Sequence, residues 1–438
     1  MNRIPTDPFT VDHDEIKPVE QKAAKPATGL RSVPEVNVEE PFAIEDLFFS
    51  RTDKRGVIEA YNEVFVRIAG FGGSELQGAP HNIIRHSDMP KAVFWLLWNG
   101  LKNGTPVGAY VKNKTKSGKY YWVFAIASPL GNGDFLSVRL KPTSPLLGVV
   151  SDLYGEILHA EKSEALSPED SANRMMGRIQ ELGFQTYAMF QAHALFEEFE
   201  ARRKTMGTKQ FSDLSNIHTI SENASHLRHE IALLSTRFDE AALLIANMKI
   251  FAAKLPEGRS TINEIAKNYD LMLRDIRNHL KTLDIQESFD GIWEASRDQN
   301  SFFMLCTSHL LEEMCKNFKD EGCLGGKTSK EDETHVLNKL RNTYNTKSIS
   351  AVVHGIQSTM VIQRRVDFLR RMILGLSTIR IACRVEAGTL RDTAKGLDNI
   401  VARLDDFHDE IEEQLEKIQG AVNAILKGVD RSILGESE

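Results

Sequence analysis

Pro80-His81-Asn82-Ile83-Ile84-Arg85-His86-Ser87-Asp88-Met89-Pro90 decides how the N-terminal part of this 438-residue chain folds. It lies between a Gly-punctuated run (Gly70, Gly72, Gly73, Gly78) and the apolar, Trp-bearing segment Ala92–Leu101. Polar and ionisable residues surround two isoleucines, Ile83 and Ile84. A surface helix would collect its charges on one face opposite a longer apolar stripe, and an ordinary loop would not hold the isoleucines. The pattern predicts a short helical turn that buries its apolar side and presents Arg85, His86 and Asp88. Arginine suits a planar anion such as phosphate, because its fork makes paired, charge-assisted hydrogen bonds. A plainer reading makes the same residues a helix start, with Ser87 or Asp88 as N-cap and Pro90 near the first turn.

Outward from this stretch the chain reads as strands at Phe48–Asp53 and Gly56–Ala60, then a helix over Tyr61–Gly70. Beyond it come a longer helix, Lys91–Gly104, and strands at Val107–Lys116, Tyr120–Pro129 and Phe135–Lys141. In Tyr120–Ala127 nearly every residue is apolar or aromatic, so both faces of that strand should be covered. Trp95 and Trp98 fall three apart on one helix face. For Trp95 the plain expectation is core packing.

In order and spacing, residues 44–143 resemble a PAS sensor domain, and more narrowly the flavin-binding PAS domain of the aerotaxis receptor family. The resemblance is carried by Asn62 with Phe65, Glu75-Leu76-Gln77-Gly78, Pro80-His81-Asn82, Arg85-His86, Asp88-Met89-Pro90-Lys91, Val111-Lys112-Asn113-Lys114 and Tyr121-Trp122-Val123. It implies a five-stranded antiparallel sheet with short helices, and FAD held non-covalently in the domain. Asn62, Arg85, His86, Asp88, Phe94, Trp98 and Asn113 match family positions that hold or line the cofactor. Arg85 would face the pyrophosphate, while Asn62 and Asn113 would bond the ring edge or ribityl chain and re-pair with its redox state. Val107 departs from the pattern, standing where the family carries a tryptophan, and Ser87 stands where it has proline. Haem is the rival ligand, with His81 or His86 as axial candidates; a ligand-free docking PAS is the reading from a different class.

The formal net charge of −7 and the lack of a basic cluster argue against nucleic acid as a partner. No uninterrupted apolar run of about 18 residues predicts a membrane span, and no signal core opens the chain, so the expected location is cytoplasmic. Residues 1–43, with prolines scattered among charges, read as a disordered tail. Cys306, Cys315, Cys323 and Cys383 lack a C-x-x-C pair. Cys315 and Cys323 with His309 and His335 fit no standard zinc frame, so no metal residue is assigned and reduced thiols are expected.

After Pro142-Thr143-Ser144-Pro145 the pattern is helical almost to the end. Leu146–Glu164 reads as a linker helix (144–166) carrying a signal out of the PAS domain. A helix-start signal at Ser167-Pro168-Glu169-Asp170 opens a long helical stretch from Ser171 to about Ala253. Residues 167–316 and 349–434 read as two helical halves joined by a flexible loop over 317–348. The stretch Ala242–Arg259 resembles the hairpin tip of the methyl-accepting chemoreceptor signalling domain through Leu243, Leu244, Asn247, Ile250, Ala252, Ala253, Glu257, Gly258 and Arg259. Phe251 replaces an acidic residue there, and Leu376–Gly388 is a weaker echo. The resemblance implies a chemotaxis kinase or adaptor as partner, through degenerate copies of the tip. The final helix, about Ala394–Gly428, carries an apolar stripe at three- and four-residue intervals and is the candidate for pairing two chains as a homodimer. His226 and His229 only faintly resemble a phospho-accepting pattern, without the motifs of an ATP domain. With no nucleophile–base pair, a non-enzymatic signal transducer is expected.

Overall fold

The computed structural model describes residues 33–207, 214–253, 259–284, 295–321, 323–324, 329–389 and 397–428. Its N-terminal part is the α+β domain expected. Strands β1 (Phe48–Thr52), β2 (Ile58–Asn62), β3 (Val107–Lys114), β4 (Tyr120–Pro129) and β5 (Phe135–Leu140) pair antiparallel in the order β3-β4-β5-β1-β2. A two-residue strand, β6 (Cys323–Leu324), adds to the free edge of β2. Only the tertiary structure supplies this sixth strand.

Helices α1 (Glu63–Ala69), α2 (Gly73–Leu76) and α3 (Lys91–Lys102), with a 3-10 turn at His81–Ile84, cover one face of the sheet. The turn buries Ile84, as the pattern of the deciding stretch requires. Neither Ser87 nor Asp88 caps the helix that follows. Pro90 occupies the N-cap position, and the freed Lys91 and Ala92 amides donate to the Glu161 carboxylate from a distant helix. An acid at a helix N-terminus meets both the orphan amides and the positive end of the dipole.

The opposite face of the sheet is covered too, which is why all five residues of β1 are buried. The long stretch expected as one helix is broken into α5 (Pro168–Glu181), α6 (Tyr187–Met206) and α7 (Leu214–Ala253). Ser167 and Thr186 cap new helix starts, and Gly207 in a left-handed conformation ends α6. Helix α6 lies along β3: the Tyr187 hydroxyl donates to Gly108 O, and Gln191 Oε1 accepts from Gly108 N–H. The buried Glu198 carboxylate accepts from Thr143 N–H, Ser144 N–H, Ser144 Oγ–H and the Tyr110 hydroxyl. Hydrogen bonds to a charged group contribute roughly 1.5–3 kcal/mol each, so this one side chain fastens α6 to the domain. Helices α8 (Arg259–Asp284) and α9 (Ala295–Glu321) follow. On the same face as α6, Phe303 of α9 fills the space above Gly108, where a Cβ would come within 2.7 Å of its ring. Phe318 meets Phe49 edge-to-face at 4.9 Å.

Helix α4 (Leu146–Ser163) departs from its expected role. Its buried stripe of Val150, Leu153, Tyr154 and Ile157 docks back on the domain, with the Tyr154 hydroxyl donating to Tyr110 O. It is a wall of the N-terminal domain, not a free linker. The 317–348 loop is also overturned. Helix α9 continues to Glu321, and α10 runs from Lys330 to Thr389. Its opening turn carries Glu331, Asp332 and Glu333, and Ser329 accepts from Asp332 N–H. Polar residues there are a helix start, with Glu333 buried against Arg51 of the sheet. The N-terminal boundary moves likewise. Within 33–43, Phe42 is buried in the domain core and Glu39 bridges Tyr120, while 1–32 lies outside the described residues.

Helices α7, α8, the distal half of α10 and α11 (Leu397–Lys427) form a four-helix bundle with its own core. Gln414 of α11 donates to Glu230 O of α7, and Arg384 of α10 pairs with Asp405 of α11. The stripe Val401, Leu404, Phe407, Ile411, Leu415, Ile418, Val422 and Ile425 is buried inside this bundle. The helix expected to pair two chains therefore pairs two hairpins of one chain. Residues 254–258 and 390–396 lie outside the described residues, and with them Glu257 and Gly258 of the chemoreceptor-like stretch.

Candidate ligand site in the sensor domain

Residues opposite one another on paired strands share a face. Phe48 of β1 opposes Arg139 of β5, which opposes Ala125 of β4, which opposes Ala109 of β3. With Ser50, Ser137, Tyr121, Val123 and Asn113 these make up the face beneath α1 and α3. Small residues on this face are what a sheet needs if it is to hold something larger than its own side chains.

Asn62 is buried completely, but its bonds are all internal. Its Oδ1 accepts from Phe49 N–H at 3.0 Å and Phe65 N–H at 3.2 Å, and its Nδ2 donates to Leu47 O at 2.8 Å. It caps α1 and ties two strands, so its oxygen and one of its two N–H groups are committed to the backbone.

Arg85, Phe94 and Asn113 are brought together. Arg85 and Asn113 form an isolated antiparallel bridge, and the guanidinium lies 3.9 Å from the centroid of Phe94. A single hydrogen bond, to Met89 O at 3.2 Å, occupies Arg85, and burial lowers its pKa against the pull of Glu161. Among the described residues the Asn113 side chain has no hydrogen-bond partner, though it is buried. Trp98, one turn beyond Phe94, packs edge-to-face on Phe135 at 5.4 Å and against Gly56.

His86 and Asp88 go elsewhere. His86 Nδ1 accepts from Asp88 N–H, and its Nε2 lies 3.6 Å from Glu35. Asp88 is largely exposed and pairs with Lys112 at 2.6 Å. Burial opposes ionisation of Glu35, but hydrogen bonds from Ser87 and Lys114 hold its carboxyl below the usual range. This group clasps the 33–43 segment to the domain and does not point inward. A reader of sequence alone could not place Glu35 here, because the segment carries no periodicity.

The sequence missed the most unusual group. Arg139 is buried, and its Nη2 contacts Ser50 Oγ and His81 Nε2. Its Nη1 and the Tyr121 hydroxyl are buried without partners, and among the described residues no carboxylate pairs with it. Burial pushes Arg139 down to about 10 and His81 well below 6.5, the latter also repelled by Arg139. A buried donor without an acceptor is costly, so a guanidinium beside a neutral imidazole and an unpaired phenol calls for an acceptor-rich occupant. The signal was readable: in Phe135–Lys141 the parity that puts Leu136, Val138 and Leu140 on one face puts Ser137 and Arg139 on the other. His81 faces a guanidinium and His86 a carboxylate, so neither imidazole is free to ligate haem iron without breaking these contacts.

The Trp-to-Val departure has a packing account. A Cβ on Gly100 of α3 would sit 2.3 Å from Val107 Cγ2, so the end of α3 rests directly on Val107. An indole would not fit at that spacing.

Comparison with known proteins places these observations. Residues 58–138 match the PAS fold family. The aerotaxis receptor of Escherichia coli (strain K12) is 40% identical over 118 residues, covering 26% of this chain and 23% of the receptor. The chain thus matches about a quarter of that relative's length. A domain of the sensory box sensor histidine kinase/response regulator from Geobacter sulfurreducens is similar at 16% identity and a TM-score of 0.19, over 23% of this chain and 87% of its own. A fungal LOV domain photoreceptor gives 16% and 0.19, over 25% and 81%. The N-terminal domain has the PAS fold and is similar to the matching part of the aerotaxis receptor, and a long helical region follows it. No described helix is long and apolar enough to cross a membrane.

Proposed function

We propose that this chain is a non-enzymatic redox- or oxygen-sensing signal transducer, in which FAD bound by the PAS domain controls the helical region. The carrying observation is the pair of unsatisfied buried donors, Arg139 Nη1 and the Tyr121 hydroxyl, on a sheet face lined with alanine and serine. Flavin would supply a ring whose charge and protonation change on reduction. Arg85, with spare donors over Phe94, holds an anionic group such as pyrophosphate. Asn113 offers an amide able both to donate and to accept, which Asn62 does not. Arg139 and Tyr121 supply donors to acceptors deeper in the domain, and Trp98 with Phe135 closes the side near Gly56.

The output route follows from the docking of the sheet. A shift in β1 or β5 is felt by α9 and α10, because Phe49 packs on Phe318 and Arg51 pairs with Glu333 at 3.0 Å. Helix α10 then runs without a break into the bundle. The route therefore leaves by the sheet, not by α4. A signalling partner of the chemotaxis kinase or adaptor class would meet the distal bundle, where Leu243, Ile250, Leu374, Ile381 and Val385 stay exposed. The cytoplasm is the compartment this reading requires.

The test is a visible absorption spectrum of the purified full chain, before and after chemical reduction, with Arg85→Ala and Arg139→Met alongside. A flavin spectrum that bleaches on reduction and is lost in both variants supports the reading. A colourless protein, whose PAS domain is folded by circular dichroism, overturns it in favour of a ligand-free docking domain.

A further inference from the structure

Helices α6 and α7 meet at a cluster that plays no part in the sensor site: His193 on α6, and His218 and Glu222 one turn apart on α7. His218 Nε2 lies 3.5 Å from Glu222 Oε1, and His193 Nδ1 lies 3.9 Å from the same oxygen. One ligand atom from each of the three falls within 4.8 Å of the others. His193 Nδ1 is buried and makes no hydrogen bond. Phe196 stacks flat on the His218 ring at 3.9 Å between centroids, fixing the plane in which its nitrogens lie.

We propose that these three residues bind one divalent transition-metal ion of the zinc class. Bonds of about 2.0–2.2 Å to imidazole nitrogen and carboxylate oxygen place tetrahedral ligands about 3.3 Å apart. The two His–Glu separations, 3.5 and 3.9 Å, exceed this by tenths of an ångström, and side-chain rotations would bring the two imidazoles, whose ligand atoms lie within 4.8 Å, together. Imidazoles with a carboxylate select zinc-like ions over magnesium or calcium, which require oxygen-rich sets. The surrounding pattern supplies further donors at helical spacing: Glu197 follows His193 by four residues and His226 follows Glu222 by four, so both lie on the same helix faces. The bland alternative, a His–Glu hydrogen bond, does not account for an unpaired His193 nitrogen turned to the same carboxylate.

The position gives the ion a structural consequence. Helix α6 is fastened to the sensor sheet through Gln191 and Glu198, whereas α7 is the first helix of the bundle. A bound ion would join the two across residues 208–213. The inference is independent of flavin: it concerns a different site and holds or fails whatever the PAS domain binds.

The experiment is titration of the full chain, first stripped with a chelator, with Zn2+ alone, followed by calorimetry and by competition with a chromophoric chelator. Expected is one ion per chain, undisturbed by excess Mg2+, with a rise in the melting temperature. His193→Gln and His218→Gln should each weaken binding by about 100-fold or more, beyond the 10–100-fold typical of outer-shell changes. His229→Gln, an exposed histidine on the same helix, should leave it unchanged. Chelator-treated variants that melt like the chelator-treated parent show that folding is intact; if His218→Gln does not fold, the more exposed His193→Gln decides. Co2+ substitution adds a visible spectrum that reports imidazole and carboxylate ligation. Absence of binding, or binding that His193→Gln does not weaken, overturns the proposal, as does equal sensitivity to His229→Gln.

Discussion

Arg51 on strand β1 and Glu333 in the first turn of α10 form a buried ion pair across 282 residues of sequence, with Nε 3.0 Å from Oε1. Glu333 is 1% exposed, while Arg51 also reaches Asp134 at 3.0 Å and Glu59. The pair joins the sensor sheet to the helix that runs through the bundle. Glu333→Ala should therefore weaken the docking of α10 on the sheet. Arg51 keeps two carboxylates, so the cost should be that of a lost charged hydrogen bond, about 1.5–3 kcal/mol, below the larger figure for a stranded charge. Denaturant unfolding measures it, and faster proteolysis near 322–330 locates it. An unchanged midpoint with unchanged cleavage would show that the pair does not hold the two parts together.

Asn62 offers a second check, because it separates a structural from a ligand-binding role. Asn62→Ala removes the cap of α1 and leaves Phe49 N–H and Leu47 O without a buried partner. A lost cap costs about 1 kcal/mol, and each orphaned backbone group about 1–3 kcal/mol more. The loss should appear in thermal melts of protein with or without bound cofactor. A variant as stable as the parent that fails only to bind a chromophore would return Asn62 to the ligand site.

Gly100 and Val107 form a third test. Gly100→Ala should lose about 1–3 kcal/mol by overpacking, partly offset by the better helix propensity of alanine. Val107→Ala in the same chain should restore part of the loss, because the clashing methyl is gone. Chemical denaturation of the two singles and the double gives the coupling. Additive effects would mean that the helix end shifts to accept the extra carbon.

Acid sensitivity follows from His81. Burial and the neighbouring Arg139 depress its folded pKa well below 6.5, so the unfolded chain takes up the proton first as pH falls. The stability it contributes is present above about pH 6.5 and is lost as pH drops from there toward the folded pKa, at up to roughly 1.4 kcal/mol per pH unit. His81→Gln should flatten the fall in unfolding free energy between pH 7 and pH 5. The buried His86 and His408 shift in the same direction and leave a residual slope. An identical pH profile in the variant would refute the assignment.

Local chemistry made much of this legible in the sequence. Alternation set the strands and their two covered faces; Ile83 and Ile84 among polar neighbours set the 3-10 turn; Ser167 set a helix start that was read as such, and Thr186 one that a reading by apolar pattern alone ran over. That Arg85, Phe94 and Asn113 share one site was implied by the family resemblance. His86 and Asp88 could not be placed correctly, because their partners Glu35 and Lys112 arrive from other segments. The inward Arg139 was visible by strand parity and was not read, whereas Trp98 came from the family resemblance.

The amino-acid sequence by itself determined the strands and helices of the N-terminal domain, since period, caps and turn residues act over a few positions, and its motifs carried the resemblance to PAS domains. Tertiary structure alone decided what the outer sheet face rests on, why α4 folds back, and that the apolar stripe of α11 is buried within one chain. Those outcomes depend on which apolar face finds which. The choice is made by shape and by pairs such as Arg51 and Glu333, whose separation along the chain leaves no local trace.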